Sequence, residues 1–369
     1  MAQRGRGRLT IFGRRYGTHT CEHCARSIVG EGNVTQHGRP VGAPPDPADA
    51  TIPLDAYLGA TDALTPDRLL RGRRAVPEHG WRRLVHRASR GRVHPPESAA
   101  EVRRRELIAR VRTPVAGGHH RVAVLSLKGG VGKTTTAVGL GSALASIRGD
   151  RVIAVDANPD HGTLSEKVRM ETPASVRDLL AEMASVPHPR YADVRAFTSQ
   201  SISSRLEILA SARDPELSKA FTDHDYRSAV RLLEHFYSIC ITDCGTGLLH
   251  SAMGAVLELA DQVVLVTIPS VASARSASAT LDWLEAHGHT RLARNAVVVL
   301  SSIRPGKGAG VDIEALRTHF DKRCQAVVTV PYDPHLAQDA EVDVELLQAR
   351  TRDAFLTLAA TVGDGFERR

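Results

Sequence analysis

From Arg121 onward, short apolar runs alternate with longer stretches of helical period. "RVAVLSL", "RVIAVD", "LEILAS", "SICITD", "QVVLVT", "AVVVLSS" and "AVVTVP" are rich in β-branched residues, and several are apolar at nearly every position. Strands that are apolar on both faces are expected in a parallel sheet covered by helices on both sides. Helical spacing over 134–147, 225–235, 272–287, 313–320 and 344–360 supplies the covering layers. The pattern predicts an α/β fold, a doubly wound, mostly parallel sheet with helices on both faces. Its ligand site should lie beyond the carboxyl ends of the strands.

The front of the chain reads differently. "SAAEVRRRELIARVRTPV" sets Val102, Leu107, Ile108 and Val111 at helical spacing among arginines, and Pro114 with the glycines of "AGGHH" ends the pattern. This predicts a basic helical linker over 81–119. Residues 1–80 mix Gly, Pro, Asp and Arg, and "GRPVGAPPDPADATIP" has neither helical nor strand period, so a loosely ordered tail is expected. Residues 120–369 then form the main domain.

Length and composition agree with that division. The 369 residues accommodate one α/β domain of about 250 residues plus an appendage. No apolar run approaches the ~18 residues of a spanning helix, and the arginine-rich start lacks the apolar centre of a secretory signal. A cytoplasmic location is expected. The net charge of +7 is unevenly placed: residues 1–119 hold 21 Arg, no Lys and 11 acidic residues, against 27 basic and 30 acidic in the remainder. A front of this kind can dock on nucleic acid, an anionic membrane or an acidic protein, or be merely solvated.

The chemistry concentrates in "SLKGGVGKTTT", residues 126–136. A strand, a glycine-rich loop and a helix follow one another there, the context a phosphate-binding loop requires. Gly129, Gly130 and Gly132 let successive backbone N–H groups turn inward without Cβ obstruction, with Val131 among them in the binding loop, and the helix amino terminus favours an anion. Lys133 should reach the β- and γ-phosphates, Thr134 should ligate Mg²⁺, and Thr135 should lie nearer the α-phosphate. Lys128 is a second cation, beyond what nucleotide binding alone needs.

The run K-G-G-x-G-K-T-T resembles the deviant Walker A loop of the MinD/ParA family of ATPases. The likeness covers residues 121 to about 365 and implies ATP and Mg²⁺ as ligands. It also implies that Lys128 reaches across a nucleotide-sandwich homodimer to phosphates held by the other subunit, joining ATP binding to dimerisation and stabilising charge on the transferred phosphoryl group. "YSICITDCGTG" resembles a Walker B strand, with Asp243 holding Mg²⁺ and Gly245 pivoting a loop that senses the γ-phosphate. "VIAVDANPDHGTL" resembles the first switch, D-x-D-P-Q-G: Asp156, Pro159 and Gly162 match, but Asn158 replaces the carboxylate that orients the attacking water. An amide oxygen holds a water but cannot accept its proton, so slow hydrolysis is expected unless Asp160 substitutes. "VVVLSSIRPG" and "VPYDPHL" resemble the two segments that enclose adenine, which places Ser301 and Pro331 to Asp333 at the base.

Over the stretches "GWRRLVH", "ELIARVRTPV", "VIAVDANPDHGTLSEKVR", "RYADVRAFTSQ" and "ARSASATLDWLEAHG", the chain is similar to the MinD-like ATPases of actinobacterial type VII (ESX) secretion loci. That likeness implies secretion-system proteins as partners and an ATP-driven switch that regulates or positions the machinery. Two other functions fit the same residues. A ParA-like positioning protein would bind DNA without sequence selection, with a steep salt dependence. An ATP-bound adaptor would bind nucleotide with little hydrolysis.

Two remaining features concern metals and membranes. Cys21 and Cys24 form a C-x-x-C pair, with His19, His23 and His37 nearby. With His37 they are candidate Zn²⁺ ligands, although a closed site wants four, and two incidental thiols are the simpler reading. The end, "DAFLTLAATVGDGFERR", lacks a basic amphipathic anchor, so any membrane contact should be peripheral.

Overall fold

The computed structural model describes residues 88–90, 98–158, 162–212, 221–246, 252–303 and 311–367, all within one compact unit that spans Ala75–Arg369. In chain order the elements are α1 (Ala99–Val111), β1 (His120–Ser126), α2 (Lys133–Ile147), β2 (Val152–Ala157), α3 (Val176–Met183), α4 (Tyr191–Arg195), β3 (Ser199–Gln200), β4 (Glu207–Leu209) and α5 (Asp223–Leu233). There follow β5 (Ile239–Thr246), α6 (Met253–Leu259), β6 (Gln262–Thr267), α7 (Val271–Ala286), α8 (Thr290–Arg294), β7 (Val297–Ile303), α9 (Ile313–Asp321), β8 (Ala326–Pro331) and α10 (Ala349–Gly363).

The strands form one sheet in the order β3-β4-β2-β5-β1-β6-β7-β8. Every pairing is parallel except β3 with β4. β1 lies at the centre, with β5 and β2 on one side and β6 to β8 on the other. The direction of winding therefore reverses beside β1, and a crevice opens at the carboxyl ends of these strands.

The continuous apolar runs are explained by two cores. Val122 and Val124 of β1, with Ile239 and Ile241 of β5, face a layer made by α1, α2 and α10. The alternate residues, Ala123 and Leu125 of β1 with Cys240 and Cys244 of β5, face α3 and α5 to α9. Burying each large aliphatic side chain stabilises by roughly 1.5–3 kcal/mol, so both faces of every central strand must be apolar. Cys240 and Cys244 are packing residues, and burial pushes the Cys240 thiol up to about 12.

The helix expected in the basic linker is α1. Ser98 and Glu101 close its amino terminus with a capping box, worth about 1 kcal/mol. Leu107 and Val111 are buried against α10, and Arg110 grips Asp364 with two bonds of 2.8 and 2.6 Å.

Several elements differ from the sequence expectation. α10 starts at Ala349 rather than at 344, because Gln348 is extended (ψ 148°) and its N–H donates to Asp333 Oδ2 at 2.9 Å. Val342 and Leu347 of the preceding segment are buried instead. β5 runs three residues past Asp243 to Thr246, where its register against β1 shifts between Val124 and Ser126. Helices α3 and α6, of 8 and 7 residues, are not among the expected elements; both pack on the α5 side of the sheet. Among the described residues, no helix is long and apolar enough to cross a membrane, and no cluster of three or more His, Cys, Asp or Glu is placed to hold a metal.

Gly139 of α2 is a point of close approach between helices, since a Cβ there would run into the Phe355 ring of α10. Gly139→Ala should therefore lower stability by about 1–3 kcal/mol through overpacking, despite alanine's better helix propensity. Urea unfolding followed by circular dichroism checks this; an unchanged or higher midpoint would show that α10 yields freely.

Candidate functional site

The loop after β1 is built by backbone geometry. Gly130 and Gly132 have left-handed φ values of 73° and 87°, conformations that glycine adopts without steric cost. Gly132 is the N-cap of α2, so the first amides of that helix, which have no partner within it, open towards the crevice. Ser126 Oγ donates to the Lys128 carbonyl at 3.1 Å and Thr136 Oγ1 to the Gly132 carbonyl at 2.7 Å, which hold the loop at both ends. A cavity of about 420 Å³ lies over it, within the size range of small-ligand sites.

Beneath the loop sits a buried ionic cluster. Lys133 Nζ donates to Asp243 Oδ1 at 2.5 Å, and Thr134 Oγ1 donates to Asp243 Oδ2 at 2.6 Å. β2 and β5 run side by side with Asp156 opposite Asp243, so two buried carboxylates lie next to each other near the carboxyl ends of adjacent strands. Burial, and then the charge of Asp243, push the Asp156 carboxyl up to about 7. Asp156 also organises the chain that follows it: Oδ1 accepts from the Asn158 amide at 3.0 Å and Oδ2 from the Leu164 amide at 3.2 Å. Gly162 permits this, because a Cβ there would collide with the Asp156 carboxylate and Ser211 Oγ.

The residues singled out in the sequence divide accordingly. Lys128, Gly129, Gly130, Gly132, Lys133, Thr134 and Thr135 all line the cavity. So do Asn158 on one side and Ser301, Pro331 and Asp333 on the other. Val131 is buried in the core beneath the loop. Asp156 and Asp243 lie under the floor, and Gly245 is buried in β5 while its neighbour Thr246 reaches the lining. The Asp333 carboxylate is occupied by the amides of His335, at 3.0 Å, and Gln348, so this side chain shapes the wall rather than presenting free acceptors. Pro159, Asp160, Cys21, Cys24 and His37 lie outside the described residues.

Several lining residues carried no signal of their own. Thr163 Oγ1 lies 3.4 Å from Thr134 Oγ1; its place directly after Gly162 was the available clue. Lys167 and Asp339 meet at the cavity across 172 positions of sequence, a separation no local pattern encodes. Lys128 and Lys133 are also in different states. Lys133 is buried against its carboxylate, whereas Lys128 is exposed at the cavity and its side chain makes no ion pair among the described residues.

Comparison with known proteins gives the family and the fold. The model of the CobQ/CobB/MinD/ParA nucleotide binding domain matches residues 122–346. The ESX-1 secretion-associated protein EspI of Mycobacterium tuberculosis is 36% identical over 297 residues, which is 80% of this chain and 43% of that protein. The chain thus spans less than half the length of this relative. The septum site-determining protein MinD of Bacillus subtilis is 27% identical over 199 residues, covering 54% of this chain and 72% of that protein. Among solved structures, the cell division ATPase MinD of Pyrococcus furiosus matches 66% of this chain and 98% of its own, with a TM-score of 0.53 and 22% identity. The ParA family ATPase from Chlorobium tepidum matches the same shares with a TM-score of 0.56 and 19% identity. These two likenesses establish the fold. With the family model spanning most of the chain and a phosphate loop backed by a buried Lys-Asp-Thr cluster, this protein belongs to the CobQ/CobB/MinD/ParA nucleotide-binding family.

Proposed function

We propose that this chain is an ATPase that works as an ATP-dependent dimerisation switch and regulates or positions type VII (ESX) secretion machinery from the cytoplasm. The observation that carries the switch is the contrast between its two loop lysines. Lys133 is already matched by Asp243 within its own subunit. Lys128 stands exposed at the cavity, where it can meet the phosphates bound by a facing copy. A cation offered from outside makes nucleotide binding and subunit pairing favour each other, since each supplies charge the other lacks. The secretion role is supported by the likeness to the ESX-1 secretion-associated relative.

The residues fit a nucleotide with its metal. The left-handed glycines and the start of α2 offer backbone donors for phosphate oxygens, and Lys133 can exchange its carboxylate for them. Thr134 and Asp243 would hold Mg²⁺, which would neutralise phosphate charge. Asn158, half-buried in the cavity wall, can orient a water through its amide oxygen but cannot take up a proton. Slow turnover follows from that replacement.

The test is oligomeric state and phosphate release measured together. With Mg·ATP the wild type should shift from monomer to dimer on sizing with light scattering. Lys128→Ala should keep ATP affinity within a few-fold and lose the dimer; equal dimer fractions for mutant and wild type would refute the role in trans. Lys133→Ala should weaken ATP binding by about 100-fold or more, read by titration of a fluorescent analogue. Asn158→Asp should raise turnover about tenfold or more by restoring a proton acceptor. No gain in phosphate release would mean that water activation does not pass through position 158.

A further inference from the structure

The nucleotide cavity has two walls that come from opposite ends of the main domain, and one ion pair joins them. On the phosphate side, Asp156 holds the Leu164 amide, and a short 3₁₀ turn, Leu164–Lys167, follows. On the other side, β8 leads through Pro331 to Asp333 into the turn Leu336–Gln338, which ends at Asp339. Lys167 Nζ donates to the Asp339 carbonyl at 3.0 Å and also to its Oδ1. The Val342 amide returns a bond to the Lys167 carbonyl at 2.9 Å. Both Lys167 and Asp339 line the cavity.

The pair is asymmetric. The Lys167 side chain is 4% exposed and that of Asp339 87%. An ammonium withdrawn from water is costly unless a partner compensates it. Here one residue supplies both acceptors, by adopting a left-handed backbone (φ 53°) that aspartate tolerates better than most residues. A fastening of the fold alone could sit anywhere along the contact between these segments. This one sits in the cavity lining, so the walls cannot separate around a bound molecule without exposing or breaking it.

We propose that Lys167 is a positioning residue which, through Asp339, clasps the two walls of the cavity and slows nucleotide release. The inference rests on the reading of the cavity as a nucleotide site. It assigns to Lys167 a task separate from the phosphate contacts of Lys133, one that governs residence time more than association.

Stopped-flow release of a fluorescent ATP analogue from the full chain tests it. Lys167→Met should speed release about tenfold, the scale of one lost charge-assisted hydrogen bond, with the association rate changed less than twofold. Asp339→Ala should release equally fast, whereas Asp339→Glu keeps a carboxylate on an exposed side chain and should stay near wild type. The double variant Lys167→Met/Asp339→Ala leaves no lone buried charge, so it guards against misfolding. It should release no faster than either single variant. Equal release from wild type and the Lys167→Met/Asp339→Ala variant, or a Glu variant as fast as the Ala variant, overturns this inference alone. A wild-type chain that binds no nucleotide overturns it together with the functional reading.

Discussion

The site depends on one contact, the ammonium of Lys133 against the carboxylate of Asp243 at 2.5 Å. A carboxylate at the buried end of a central strand is tolerable only beside a cation and hydroxyl donors. That requirement sets the phosphate loop directly over β5. It makes α2 begin where it does, because Lys133 and Thr134 both bond to Asp243 from the first turn of the helix. It also leaves Asp156, on the next strand, beside a second negative charge. Asp156 is accordingly buried with a raised carboxyl and turned towards the backbone amides of the following loop.

From that centre the cavity is assembled by strand order. β1 sits between β5 and β6, so the loop after β1 faces the end of β5 on one side and the segments after β7 and β8 on the other. Ser301 lies close enough that a Cβ on Gly132 would come within 3.0 Å of its Oγ. Asp333 holds the start of α10 through Gln348, and α10 in turn packs on α1 and α2. The same helix thus stiffens the far wall of the cavity and covers the sheet beneath the phosphate loop.

Much of this was legible in the chain. The seven apolar runs all became strands, since a strand buried on both faces has a local signature that needs no knowledge of its neighbours. The loop from Lys128 to Thr135 was legible for a related reason: left-handed turns demand glycine, and phosphate demands a cation at the helix start. The short elements α3 and α6 were not among the expected helices, because 8 and 7 residues fall below the length that by itself marks a run as a helix, although α3 is amphipathic and capped by Ser175 and Asp178. The start of α10 was expected five residues early because Val344 and Leu347 continue the helical spacing of Thr351, Ala354 and Leu358. The amide of Gln348 is held by Asp333 instead, and Val342 and Leu347 are buried by other means.

The sequence by itself determined seven of the eight strands, where the phosphate loop lies, and which two lysines flank it, because each of these is set by chemistry within a short run of consecutive residues. Only the tertiary structure decided that Lys133 meets Asp243, that Asp156 anchors a loop instead of lining the cavity, and that Lys167 finds Asp339. The two lysine contacts join residues 110 and 172 positions apart, and Asp156 is turned to its own loop because pairing of β2 with β5 sets it beside Asp243. Periodicity records which face of an element is buried, but it carries no record of which buried charge will lie opposite which, and that is settled by the order in which strands pair.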